Sequence, residues 1–212
     1  MIILNDQLWF PSVAHCSEEG LLAVGGDLSP ERLLLAYRSG IFPWFSEGEP
    51  ILWWSPDPRL VLVPAEFKTS KSLQKKLGNE EFRVTFDQAF SDVIRNCATI
   101  ERPGQENTWI TQNMIDSYEK LHGMGHARSV EVWQDEILVG GLYGVDLPKK
   151  KIFCGESMFS KVDDASKIAL FYWAKYLEEA HYRLIDCQVY TQHLARLGAR
   201  EIPRKKFLEY LK

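Results

Sequence analysis

Lys151-Ile152-Phe153-Cys154-Gly155-Glu156-Ser157-Met158-Phe159-Ser160 and Leu184-Ile185-Asp186-Cys187-Gln188-Val189 are two apolar runs of strand length, and each carries an acid. A charge inside a buried strand is costly unless it is paired or used. Asp186 and Gln188 are two residues apart, a spacing that turns both to one face of a strand. The pattern predicts a polar pocket cut into an apolar sheet, the usual setting for chemistry or tight recognition. Between the two runs, Ala165 to Ala180 reads as one long helix. Before them, Ser129–Trp133 and Ile137–Val145 read as strands joined by short polar turns. This order of elements predicts an α+β fold around a central, mostly antiparallel sheet.

Outward from that centre the punctuation is clear. Leu60 to Pro64 and Phe82 to Phe86 read as strands, Ser70 to Leu77 as a short helix, and Asp87 as the cap of a helix reaching about Ala98. A polar loop spans Thr99 to Asn107, and Thr111 caps a helix ending near His122. A helix from Thr191 to Gly198 and another from Pro203 complete the chain. The first sixty residues read as irregular apart from one helix, with Ser29 as N-cap, Pro30 as first helical residue and Gly40 as stop. We therefore expect a small aromatic-rich N-terminal domain over 1–60 and a larger domain over 61–212.

At 212 residues the chain can bury a core without staples. Its four cysteines (Cys16, Cys97, Cys154, Cys187) are scattered and form no C-x-x-C, which argues against a zinc knuckle or a disulfide framework. No basic-then-apolar leader and no membrane-length apolar run occurs, so no membrane association is expected and the cytoplasm is the expected location. The net charge of −4 argues against a general nucleic-acid binder. Bases nevertheless cluster at Lys68, Lys71, Lys75 and Lys76, and again over Arg196–Lys206, and such patches can hold phosphate locally.

Several chemistries fail on inspection. Gly155-Glu156-Ser157-Met158-Phe159 lacks the second glycine of a nucleophile elbow. His122 and His126 have zinc-helix spacing, but Gly123 and Gly125 interrupt the helix and no glutamate follows His122. Cys187 on an apolar strand reads as core. The strand–helix order resembles acyltransferases of the GNAT type, yet the turn Phe159–Ala165 holds no glycine and two acids where a pyrophosphate cradle would lie. Acyl-CoA is therefore a poor donor, and a non-catalytic binder of RNA or peptide ends is the other reading to weigh.

A more specific likeness covers nearly the whole chain. The blocks Gly20–Pro30, Gly40–Phe45, Leu52–Arg59, Thr108–Thr111, Cys154–Ser160, Leu184–Gln188 and Gly198–Arg204 resemble, in order, the leucyl/phenylalanyl-tRNA–protein transferase family. Trp173 departs from the smaller aromatic usual there. The resemblance implies a GNAT-like C-terminal domain that uses no CoA, no metal and no other cofactor. It implies transfer of Leu, Phe or Met from Leu-tRNA, Phe-tRNA or their Met equivalent to proteins with an N-terminal Arg or Lys, as a degradation tag of the N-end rule. We expect a monomer.

The reaction implied is aminolysis of an ester, and positioning alone can supply about 7–11 kcal/mol of such a barrier. Gln188 has no useful basicity but can accept a hydrogen bond from the attacking amine. Asp186 is expected to polarise Gln188 or attract the cationic acceptor, and Glu156 to bind the aminoacyl-adenosine or orient the pair. Trp44, Trp109 and Tyr118 are the expected holders of the terminal adenosine. Leu142, Phe153, Met158, Leu170, Trp173 and Ile185 are the expected walls of the amino-acid pocket, and Lys68, Lys71, Lys75 and Lys76 the contacts to the tRNA backbone.

Overall fold

The computed structural model describes residues 2–78, 81–100 and 108–212. Contrary to the irregular reading of its first part, the chain opens by building a four-stranded sheet. β1 (Ile2–Leu4) pairs in parallel with β2 (Leu21–Gly25). Helix α1 (Pro30–Arg38) follows, with the Ser29 side chain accepting from the Arg32 N–H and Pro30 in its first turn, as expected. The proline-rich β3 (Phe42–Pro43) and β4 (Leu52–Trp54) complete the sheet in the order β1-β2-β4-β3.

β5 (Arg59–Leu62) leaves that sheet and enters the larger one. Helix α2 (Lys71–Leu77) is capped by Ser70. β6 (Arg83–Phe86) precedes α3 (Phe90–Thr99), and Thr111 caps α4 (Gln112–Gly123). The meander β7 (Ala127–Gln134), β8 (Ile137–Leu147) and β9 (Ile152–Ser160) leads into α5 (Ala165–Glu179). β10 (Leu184–Gln188), α6 (Gln192–Arg196), the short β11 (Arg200–Ile202) and α7 (Arg204–Tyr210) end the described chain. The larger sheet runs β11-β5-β10-β9-β8-β7-β6, antiparallel throughout except where β10 lies parallel to β9. A meander followed by a strand–helix–strand crossover is the α+β, GNAT-like arrangement expected.

Two local readings need correction. Asp87 does not cap α3: it adopts a positive φ of 58°, and its carboxylate accepts from the Ser129 N–H and pairs with Arg128. The start of α3 is instead held by buried Glu131, which also takes the hydroxyls of Thr85 and Ser129. The strand β11 has no counterpart in the sequence reading. The loop read over Thr99–Asn107 lies mostly outside the described residues.

The sheet buries both faces, as a sheet covered by helices must. On one face Val130, Leu142, Phe153 and Ile185 meet Ile168, Leu170, Trp173 and Leu177 of α5. The approach is close: a Cβ on Gly140 would stand 2.5 Å from that of Ala165. On the other face Tyr143 and Val145 meet α3 and α4, and this core runs on without a break into Trp53, Leu33 and Tyr37 of the N-terminal part.

Candidate active site

Two bulges on neighbouring strands make the site. Between β8 and β9 the register slips so that Tyr143 faces Ser157 while Gly144 faces Gly155, which leaves Glu156 without a residue opposite. Gly144 is obligatory there, since a Cβ would fall 2.2 Å from the Cys154 carbonyl oxygen. On β10 the slip against β5 leaves Cys187 as the extra residue, and Gln188 takes φ 61°. The parallel pairing of β9 and β10 ends at Asp186 opposite Cys154. Past that point the strands part, and a cavity of about 690 Å³ opens beside Glu156 and Gln188.

The polar groups form one connected chain. Tyr118 Oη, itself bonded to Tyr37 Oη, donates to Glu156 Oε2 at 3.0 Å. Gln188 Nε2 donates to Glu156 Oε1 at 2.9 Å, and the Gln188 main-chain N–H donates to Asp186 Oδ1 at 3.1 Å. Asp186 is in turn gripped by Arg59, Nε to Oδ1 at 2.8 Å and Nη2 to Oδ2 at 2.7 Å. The Arg59 guanidinium lies between the rings of Phe42 and Phe207, 4.8 and 4.7 Å from their centroids. Burial pushes the Glu156 carboxyl up to about 7; the hydrogen bonds from Tyr37, Tyr118 and Gln188 oppose that shift, while Asp186 adds to it. Burial first, then the neighbouring Glu156, drives the Tyr37 and Tyr118 hydroxyls well above the usual phenol value, so both stay protonated donors.

This network settles the orientation of the carboxamide. With Nε2 spent on Glu156, Gln188 Oε1 takes no hydrogen bond from the described residues and is left to accept one. Asp186 was expected to polarise Gln188 or to attract the cationic acceptor; its carboxylate is 1 % exposed and held twice by Arg59, and it touches Gln188 at the main-chain N–H. Arg59 was the missed member, present in the sequence reading only as the last residue of the block Leu52–Arg59.

The other expected residues divide. Leu142, Phe153, Met158, Leu170 and Ile185 line the cavity, as do Trp44 and Trp109. Trp173 does not; it stands behind Phe153, ring centroids 5.1 Å apart, and stacks on Tyr176. Tyr118 is fully buried beneath Glu156 and out of reach of an adenosine. Lys68, Lys71 and Lys75 are exposed, whereas Lys76 is committed to Asp164 and the Asp163 carbonyl. Phe42, Pro43, Ser157, Thr191 and His193 also line the cavity and were not among the residues expected there. Among the described residues no group of three or more His, Cys, Asp or Glu could hold a metal ion, and no helix is long and apolar enough to cross a membrane.

Comparison with known proteins places the chain in a family. Residues 61–212 match the leucyl/phenylalanyl-tRNA protein transferase family, and residues 26–57 match the N-terminal domain of the same family. A leucyl/phenylalanyl-tRNA–protein transferase of Flavobacterium johnsoniae is 58% identical over 212 residues, covering 100% of this chain and 99% of its own. One from Syntrophobacter fumaroxidans is 56% identical over 208 residues, 98% of this chain and 88% of its own. Solved structures align more loosely: L-PGS from Bacillus licheniformis at 11% identity and TM-score 0.43, over 82% of this chain and 57% of that one, and a GCN5-related N-acetyltransferase from Kribbella flavida at 10% and 0.39, over 86% and 68%. With identities above half along its whole length, the chain belongs to the leucyl/phenylalanyl-tRNA–protein transferase family and is an aminoacyltransferase.

Proposed function

We propose that this enzyme moves leucine, phenylalanine or methionine from aminoacyl-tRNA to the N-terminal arginine or lysine of a protein, marking it for degradation by the N-end rule. The observation that carries the reading is the cavity itself: an apolar chamber walled by Leu142, Phe153, Met158, Leu170 and Ile185, continuous with the Glu156–Gln188 pair. A chamber of this kind suits a side chain unbranched at Cβ. Trp44 and Trp109 at its wall offer ring faces to the terminal adenine.

In this reading the acceptor's neutral amine attacks the ester carbonyl of the donor. Gln188 Oε1 accepts one amine N–H and aligns the nitrogen lone pair. A carbon–nitrogen bond forms, the carbon–oxygen bond to the ribose breaks, and the amine's proton ends on the departing 3′-oxygen. Asp186, Arg59, Glu156 and Tyr118 hold Gln188 in place and take no proton in the step. We further propose that residues 1–60 form a small N-terminal unit that completes the wall around the adenine, that residues 61–212 carry the chemistry, and that the enzyme acts as a monomer in the cytoplasm.

The test is transfer of labelled leucine from Leu-tRNA to peptides that differ only at the N-terminus. Transfer to arginine and lysine peptides, but not to an alanine peptide, is the expected result. Equal transfer to all three would overturn the acceptor rule, and none to any would overturn the transfer itself.

A further inference from the structure

The cavity is poor in positive charge. No lysine or arginine is among its described lining residues, and His193 is the one basic side chain of that lining. His193 sits on α6, and its charged neighbours are Lys167, Asp164 and Arg196. Lys167 Nζ lies 2.6 Å from Asp164 Oδ1, while Lys76 Nζ lies 3.3 Å from Oδ2 of the same carboxylate and 2.7 Å from the Asp163 carbonyl. Cations therefore outnumber acids at this rim even with Asp163 counted, and Asp164 ties two ammonium groups into a fixed place. From there positive charge continues outward. Lys76 belongs to the last turn of α2, whose Lys71 and Lys75 are exposed, and the residue leading into α2, Lys68, donates its main-chain N–H to the Leu197 carbonyl at the end of α6.

The donor's chemistry demands such a feature. Its ester sits on the terminal ribose, and the 5′ side of that same ribose carries a phosphodiester. If the ester lies against Gln188, an anion must lie one sugar away, near the cavity's edge. The aromatic and aliphatic walls cannot compensate it, and an unpaired phosphate drawn from water would cost binding. We propose that His193, Lys167 and Arg196 hold the phosphate directly 5′ of the terminal adenosine, as the inner end of a basic track that the exposed Lys75 and Lys71 continue along the backbone. The proposal rests on the aminoacyl-tRNA reading above and adds to it the place where the nucleic acid enters.

Two minimal donors that differ by one group test it: adenosine esterified with leucine at its 3′-hydroxyl, with and without a 5′-phosphate. The wild-type enzyme should use the phosphorylated ester about tenfold better in kcat/KM, the size expected of a charge-assisted hydrogen bond. His193→Ala, and separately Lys167→Ala with Arg196→Ala, should bring that ratio close to one. With Leu-tRNA the Lys167→Ala, Arg196→Ala variant should show a salt dependence shallower by about 0.7 in logarithmic slope for each cation removed. A wild-type ratio of one, a ratio that survives in the variants, or rejection of the phosphorylated ester by an enzyme that uses Leu-tRNA would each overturn the proposal. Failure on Leu-tRNA itself would instead overturn the reading beneath it.

Discussion

Replacing Arg59 by methionine keeps most of the side chain's volume between Phe42 and Phe207 but removes the charge that faces Asp186. Both members of the pair are 1 % exposed, and both carboxylate oxygens are engaged. Removing one partner of such a pair costs about 3–5 kcal/mol, because the other charge stays buried. The two ring contacts add about 0.5–2 kcal/mol each when desolvated, and methionine recovers part of that by packing. A net loss near 4 kcal/mol would be about a quarter or more of the stability of a typical domain, about 5–15 kcal/mol. At roughly 2–4 °C per kcal/mol for a chain of this size, Tm should fall by roughly 8–16 °C. Asp186 also anchors the Gln188 N–H, so the folded fraction should turn over more slowly, with the loss in kcat rather than in KM for Leu-tRNA. The assay is urea unfolding and steady-state transfer for Arg59→Met, Asp186→Asn and the double variant. The double variant, which buries no lone charge, should be less damaged than the sum of the singles by at least about 1.5 kcal/mol, within the range of coupling between residues that touch. Additive losses, or an Arg59→Met variant within about 1 kcal/mol of wild type, would show that the pair does not carry the load assigned to it.

Two further outcomes follow from the same network. The unfolded chain releases the Glu156 proton near 4.5 and the folded one near 7, so below pH 4.5 the carboxyl is neutral in both states. As the pH rises from 4.5 to 7 the unfolded state ionises first and the fold loses stability, up to on the order of 3 kcal/mol above pH 7. Glu156→Gln lacks this effect, so its stability relative to wild type should climb across that window in urea melts at several pH values; a flat difference would refute the assignment. Gln188→Asn should fold as well as wild type or better by ~1 kcal/mol, because asparagine accepts a positive φ more readily than glutamine. One methylene shorter, it should lose the reach to Glu156 and slow transfer roughly 10- to 100-fold. A variant that folds and transfers at the wild-type rate would remove Gln188 from the reaction.

What the sequence disclosed and what it withheld divide along physical lines. Elements with a local signal were legible: Ser29 with Pro30, Ser70 and Thr111 each announce a helix start that the fold uses. The long apolar strands and α5 declared themselves by composition. The three-residue β1 pairs with β2 some twenty positions along the chain and has no alternation of its own to read. β11, an edge strand, looks polar because Arg200 and Glu201 are both exposed and only Ile202 is buried. Within the site, Glu156 and Gln188 were legible as polar residues where apolar ones belong. The bulges that aim them were not, since glutamine is no marker of positive φ. Nor was Arg59, whose partner lies 127 residues away, beyond any pattern a local window can hold.

That distance has a consequence for how the molecule comes into being. β5 lies between β10 and β11, and both of its neighbours come from the last thirty or so residues of the chain. Until those residues join it, the strand that brings Arg59 has both edges unpaired, and the guanidinium has no carboxylate to face. A long loop must close before this pairing is rewarded. The carboxamide thus has its full set of partners only when a strand from the first third of the chain has met one from the last thirty or so residues, and a nascent molecule that has not yet emitted β10 lacks the site altogether.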